Sequence, residues 1–120
     1  MLKFVLLLFL ILAIDSIYIW SQFSSLLKMY NSIQGQLKVK YWSAALCYFF
    51  LVILLYHFIL KPKKPINDAF LLGLCVYGVY DATNYALLKK YSLQLAILDT
   101  LWGGLLFSIV TFMYRLILPH

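Results

Sequence analysis

An all-α polytopic membrane fold, four transmembrane helices in a compact antiparallel bundle, is what this sequence predicts, and three observations carry the prediction. Hydrophobic residues make up 65% of the 120-residue chain and charged residues only 12%, against about 45–50% and about 25% in soluble domains. The apolar residues fall into four stretches, each near the roughly 20 residues that cross a 30 Å hydrocarbon core. The charges gather between those stretches. Backbone polar groups must be satisfied internally in lipid, so the stretches are helices. The length accommodates a single integral membrane domain, 1–120.

The first span is read at 4–23, around the uninterrupted core FVLLLFLILAI. Lys3 before an apolar run also suits a signal peptide, but no small-x-small cleavage site follows and Asp15-Ser16-Ile17-Tyr18 continues the pattern, so a retained helix is expected. A polar linker follows at 24–40, containing Asn31-Ser32-Ile33-Gln34-Gly35-Gln36. Part of it is expected to lie in the interface as a short amphipathic helix, with Leu26, Leu27 and Tyr30 dipping in. The second span is read at 41–60. Lys61-Pro62-Lys63-Lys64-Pro65 stops it, because proline cannot continue a helix. Asn67 or Asp68 is expected to cap the third span, read at 68–88. The connection Lys89-Lys90-Tyr91-Ser92 is short, which makes the third span and the fourth, 93–114, antiparallel neighbours.

The formal charge of +6 does not indicate a nucleic-acid partner. Lys3, Lys28, Lys38, Lys40, Lys61, Lys63, Lys64, Lys89, Lys90 and Arg115 punctuate the ends of the spans instead of forming a patch. Cations so placed anchor helices at the headgroups and attract anionic lipid. They divide evenly between the two faces, so the positive-inside rule assigns no orientation. Cys47 and Cys75 fall in different spans, roughly 9 Å apart in depth at 1.5 Å per residue, too far for a disulfide.

Three aspartates, Asp15, Asp81 and Asp99, lie inside the apolar stretches. A carboxylate in hydrocarbon costs on the order of 2.5–3.5 kcal/mol by insertion scales, so it faces a protein interior, finds partners or marks a site. Counted from the face of the first and third connections, Asp81 and Asp99 lie about two turns deep and Asp15 slightly deeper. All three are therefore expected in one layer, forming an intramembrane polar cluster. Gly73, Tyr77, Asp81 and Asn84 fall within about 80° on the third helix. Asp15, Tyr18 and Gln22 align on the first, and Asp99, Trp102 and Gly103 on the fourth. Each aspartate so shares its stripe with a hydrogen-bond donor: Tyr18, Tyr77 or Asn84, and Trp102. Small residues at intervals of four, Gly78, Ala82 and Ala86 on the third helix and Thr100, Gly104 and Ser108 on the fourth, predict close helix packing.

Signatures of conventional enzymes are missing. His57 and His120 are isolated and make no metal motif, and there is no phosphate loop or serine elbow. No catalytic residue, metal or cofactor is expected.

The run Tyr77-Gly78-Val79-Tyr80-Asp81-Ala82-Thr83-Asn84-Tyr85-Ala86-Leu87-Leu88-Lys89, followed by Leu98-Asp99-Thr100-Leu101-Trp102-Gly103, resembles the domain-of-unknown-function 2177 family of small membrane proteins. That family's hallmark is a Y-D-x-T-N-x-x-x-L-K stretch followed by D-x-x-W-G. Its first helix carries D-x-x-W, where this chain has Asp15-Ser16-Ile17-Tyr18, a departure that keeps an aromatic donor. The resemblance implies four transmembrane helices and no activity. It also implies members in bacteria and in large DNA viruses, and nine lysines to one arginine fit an AT-rich genome of either source.

Two functions are open on this reading. The first is a non-enzymatic structural or interaction protein of a host, bacterial or virion internal membrane. In a virus it would anchor capsid proteins to that membrane through its lysine-rich loops, with the bilayer and protein partners as its contacts. The alternative is a small proton- or cation-coupled transporter using the aspartates as a homo-oligomer.

Overall fold

The computed structural model describes residues 2–34 and 40–118. The fold is all-helical: α1 (Leu2–Ser21), α2 (Phe23–Gln34), α3 (Tyr41–Leu55) running on into a π-helical turn (Tyr56–Leu60), α4 (Ile66–Leu87) and α5 (Leu93–Ile117). Three helical stretches are long and apolar enough to cross a membrane, Leu2–Ser21, Tyr41–Leu60 and Leu93–Ile117. α4 has comparable length, 22 residues or about 33 Å at 1.5 Å per residue, but Tyr77, Asp81, Thr83 and Asn84 make it more polar. Large apolar side chains cover the outside, among them Phe9, Ile17, Phe49, Leu71, Val79 and Phe112. In water such a surface would aggregate; against lipid tails it is the expected exterior. Trp20, Tyr41 and Trp42 are exposed together where α1 ends and α3 begins, an aromatic belt of the kind found at headgroup level.

Each connection has a local cause. The predicted polar linker is mostly helix: α2 starts after one turn residue, Gln22, and is amphipathic, with Leu26, Met29, Tyr30 and Ile33 turned to the protein. The Gly35-Gln36 part of the predicted linker lies outside the described residues. The π-helical turn ends where Lys61 N–H reaches back to Tyr56 O (2.8 Å). Lys63 N–H then bonds Leu60 O (3.2 Å) and Lys64 N–H bonds Ile59 O (2.8 Å), a Schellman pairing that satisfies the last carbonyls. It places Lys63 at φ 59°. The cap expected at Asn67 or Asp68 is displaced: Pro65, extended at φ −68° and ψ 161°, precedes the helix. Proline's fixed φ and missing N–H suit a helix start, so Asp68 falls in the first turn. Ser92 caps α5 by accepting from Leu95 N–H (3.2 Å).

The interior is layered along the bundle. At the end holding the 61–65 connection, Leu7 and Ile11 of α1, Leu51 and Leu55 of α3, and Leu106, Phe107 and Val110 of α5 form an apolar core. At the other end Met29 of α2 packs with Tyr91 and Ala96, so α2 covers the α4–α5 turn. The polar residues lie between these clusters.

α4 packs along α5 as its main partner, and the seam runs through glycines. A Cβ on Gly73 would collide with the Gly103 carbonyl and come within 2.8 Å of Phe107. Gly103 lies under the Tyr77 ring, and Gly104 under Phe70, 2.8 Å from where its Cβ would be. The predicted stripe meets this seam only in part. Gly104 belongs to it, whereas a Cβ on Gly78 would only reach ordinary contact with the Thr100 methyl, 3.4 Å away. Ser108 bonds its own helix, donating to Gly104 O (2.9 Å). Ala82 and Ala86 are exposed and line an open groove of about 430 Å³ between α4 and α5.

Candidate functional site: an aspartate-centred polar layer

The fold brings the three aspartates into one network. Asp15, buried on α1, accepts from the Tyr48 hydroxyl of α3 (2.5 Å) and from Trp102 Nε1 of α5 (2.9 Å). Asp81, buried on α4, accepts from the Tyr91 hydroxyl (2.9 Å). Thr100 Oγ1 lies 3.2 Å from the same carboxyl and 2.8 Å from the Ala96 carbonyl. A hydroxyl has one proton to give, and it serves the nearer carbonyl. Asp99, on α5, is within hydrogen-bonding reach of the Asp81 carboxyl and close to the Tyr18 hydroxyl, which is buried and makes no well-formed bond. Two carboxyl groups bond to each other only through a shared proton.

The aromatic residues give the layer its rigidity. The Tyr18 ring stacks on Trp102 with centroids 4.8 Å apart and planes 6° off parallel, which fixes the indole that reaches Asp15. Tyr77 sits over Gly103, close to Asp15 and Asp99. Asn84 is in reach of the Tyr80 and Tyr91 hydroxyls. Tyr80 in turn pairs with Tyr30 of α2 (3.1 Å), which carries the network to the interface. Burial pushes the Tyr30 hydroxyl up to about 12, so it is a neutral partner at physiological pH.

All seven predicted cluster residues, Asp15, Tyr18, Tyr77, Asp81, Asn84, Asp99 and Trp102, therefore lie in or beside this layer. The donors are not the ones that share a stripe with each aspartate; they come from other helices and from the turn. Asp15 is served from α3 and α5, Asp81 from Tyr91 in the α4–α5 turn, and Asp99 faces α4 and α1. The reason is geometric: same-face residues on one helix point side by side, whereas donors across an interface point at each other. Two donors, Tyr48 and Tyr91, escaped the sequence reading. Depth could have found the first, since Tyr48 is seven residues into α3 and Asp15 six from the end of α1, both roughly 10 Å from the same face.

Chemically the layer joins helices. Among the described residues every partner of the aspartates is a neutral donor or another carboxyl, and no three His, Cys, Asp or Glu side chains converge as metal ligands. Cys47 and Cys75 are unpaired and exposed. The model of a family described as "Predicted membrane protein (DUF2177)" matches residues 1–114. Among curated proteins and solved structures nothing matches the chain.

Proposed function

The chain belongs to the DUF2177 family of predicted membrane proteins, and for this member we propose a non-enzymatic structural role: a single four-span domain that holds its shape in the bilayer and meets protein partners through its lysine-rich loops. The observation that carries this reading is the saturation of Asp15. Both its oxygens are taken by donors from two other helices, so the carboxylate is committed to joining α1, α3 and α5. α4 completes the four spans in this reading, since it lies along α5 with Tyr77, Asp81 and Asn84 toward the layer and Leu71 and Val79 outward. For a viral member the partners are capsid proteins and the membrane is the one beneath the capsid. Gentle purification from the native membrane followed by mass spectrometry tests this, with stoichiometric partner proteins expected.

One observation favours a second reading, proton-coupled transport by a homo-oligomer: the carboxyl groups of Asp81 and Asp99 lie within hydrogen-bonding reach of each other inside the bundle, an arrangement that a proton could bridge. Proton flux in liposomes separates the two. The structural role predicts wild-type flux no greater than that of empty vesicles, and Asp81→Leu and Asp99→Leu variants that unfold more easily. Wild-type flux that is abolished by folded Asp81→Asn and Asp99→Asn variants would replace the structural role by transport.

A further inference from the structure

We infer that the 61–65 connection and the helix ends around it form a binding surface for anionic phospholipid headgroups, on whichever leaflet that face meets. The inference stands independently of the two functional readings above, because it needs only that the spans cross a bilayer.

Lys61, Lys63 and Lys64 are all exposed and follow directly on the span that ends at Leu60, which sets them at headgroup depth. They do not sit on a floppy loop. The Schellman pairing of Lys63 and Lys64 with Leu60 and Ile59 fixes the backbone, and the Arg115 guanidinium donates to the Lys64 carbonyl, tying the connection to the end of α5. Lys3 lies over the start of the same π-helical turn, its ammonium 5.9 Å from the Tyr56 ring centroid. Five cations thus surround one rigid turn, and Asp68 is the one acidic residue near it.

Two features argue that the charges are there for a partner. Lys63 has φ 59°, in the left-handed region where glycine is the usual residue of this motif and a side chain is strained. Backbone strain kept at a defined position is a pointer to function. In addition, Lys3 lies in the first turn of α1 and Lys64 just before α4. The helix dipole disfavours cations at N-termini, and no acidic residue occupies the first turn of α1. Phosphate groups of anionic lipids supply the missing negative charge, bonding to the ammonium groups and to the free amides of the first turns.

The test is lipid binding to the detergent-purified full chain, read by native mass spectrometry during titration with phosphatidylglycerol or phosphatidylcholine. Wild type is expected to prefer phosphatidylglycerol. Each lysine removed should weaken that binding about fivefold, so Lys61→Gln/Lys63→Gly/Lys64→Gln should lose about a hundredfold. Lys63→Gly alone relieves the strained backbone, so its loss of binding cannot be a loss of fold. Lys89→Gln/Lys90→Gln, which removes charge from the opposite face, should leave most of the preference intact. Equal binding of the two lipids would overturn the inference. So would an equal loss in the 89/90 variant, or displacement of the lipid by millimolar inorganic phosphate.

Discussion

Replacing Asp15 separates what the layer does by hydrogen bonding from what it does by charge. The side chain is buried and accepts two bonds, 2.5 Å from the Tyr48 hydroxyl and 2.9 Å from Trp102 Nε1. Asparagine has the same shape, one acceptor oxygen and an NH₂. Trp102 is donor-only and needs the oxygen, but a tyrosine hydroxyl can also accept, so Tyr48 can rotate and take a bond from the new NH₂. Both contacts survive in neutral form, and Asp15→Asn is predicted to cost only about 1 kcal/mol. Leucine offers nothing to either donor. An orphaned buried donor costs about 1–3 kcal/mol; with Tyr48 only half-buried, we predict a total of about 2–4 kcal/mol for Asp15→Leu.

The assay is unfolding of the detergent-solubilised protein by increasing dodecyl sulfate, followed by loss of helical circular dichroism. A cycle of Asp15→Leu with Tyr48→Phe should give a coupling of about 1 kcal/mol, in the range found for interhelical bonds in membranes. Asp15→Leu within about 0.5 kcal/mol of wild type would refute the claim that this carboxylate locks the bundle. Asp15→Asn as damaging as Asp15→Leu would show that the negative charge matters and that the donor geometry does not.

Three further outcomes follow from the packing. Gly73→Ala drives a methyl into the Gly103 carbonyl and the Phe107 ring and should destabilise by about 1–3 kcal/mol, whereas Gly78→Ala, with only Thr100 at 3.4 Å, should be neutral or slightly stabilising in the same unfolding assay. Lys63→Gly removes a left-handed strain at φ 59° and should stabilise by about 1 kcal/mol; a loss of stability would contradict the Schellman assignment. Met29→Ser removes the buried side chain that seats α2 on Tyr91 and Ala96, and hydrogen exchange should show α2 amides opening while those of α5 stay protected.

What was legible in the sequence depended on the range of the interaction. The long helices follow from composition along a single segment, and α1, α3 with its π-helical turn, α4 and α5 begin and end within a few residues of the expected bounds; of these, α1, α3 with its turn and α5 are long and apolar enough to cross a membrane. The amphipathic character of α2 was visible in Leu26 and Tyr30 for the same reason. The π-helical turn was not, because it arises from the backbone closing onto Lys61 and carries no residue signature. The shared depth of Asp15, Asp81 and Asp99 could be counted from the loops, since helical rise is constant. Their actual donors could not all be counted in that way. Tyr91 sits in a turn whose direction depends on how α2 packs over it, and Tyr48 looks like one more aromatic in an apolar run until α3 is placed beside α1. The small-residue stripe misled in part because spacing marks where helices can approach. Where they do approach here is set by Phe70 and Tyr77 filling the space over Gly104 and Gly103.

The most polar of the long helices is also the one that does most to explain the architecture. α1 and α3 each present one polar anchor to the layer, Asp15 and Tyr48, and are otherwise largely apolar. In α4, Asp81 and Asn84 on one side and Leu71 and Val79 on the other leave a single orientation that satisfies both the layer and the lipid. Tyr77, Asp81 and Asn84 lower the apolarity of α4, yet Asp81 is buried and the other two are partly buried against the layer. The same residues that lower the helix's apolarity are those that hold it to its neighbours. A bundle of so few helices has a small apolar core, and tails of lipid compete on equal terms with Leu–Leu contacts. Its unique packing has to come from contacts that lipid cannot imitate, and in this chain those are the glycine seam and the aspartate layer.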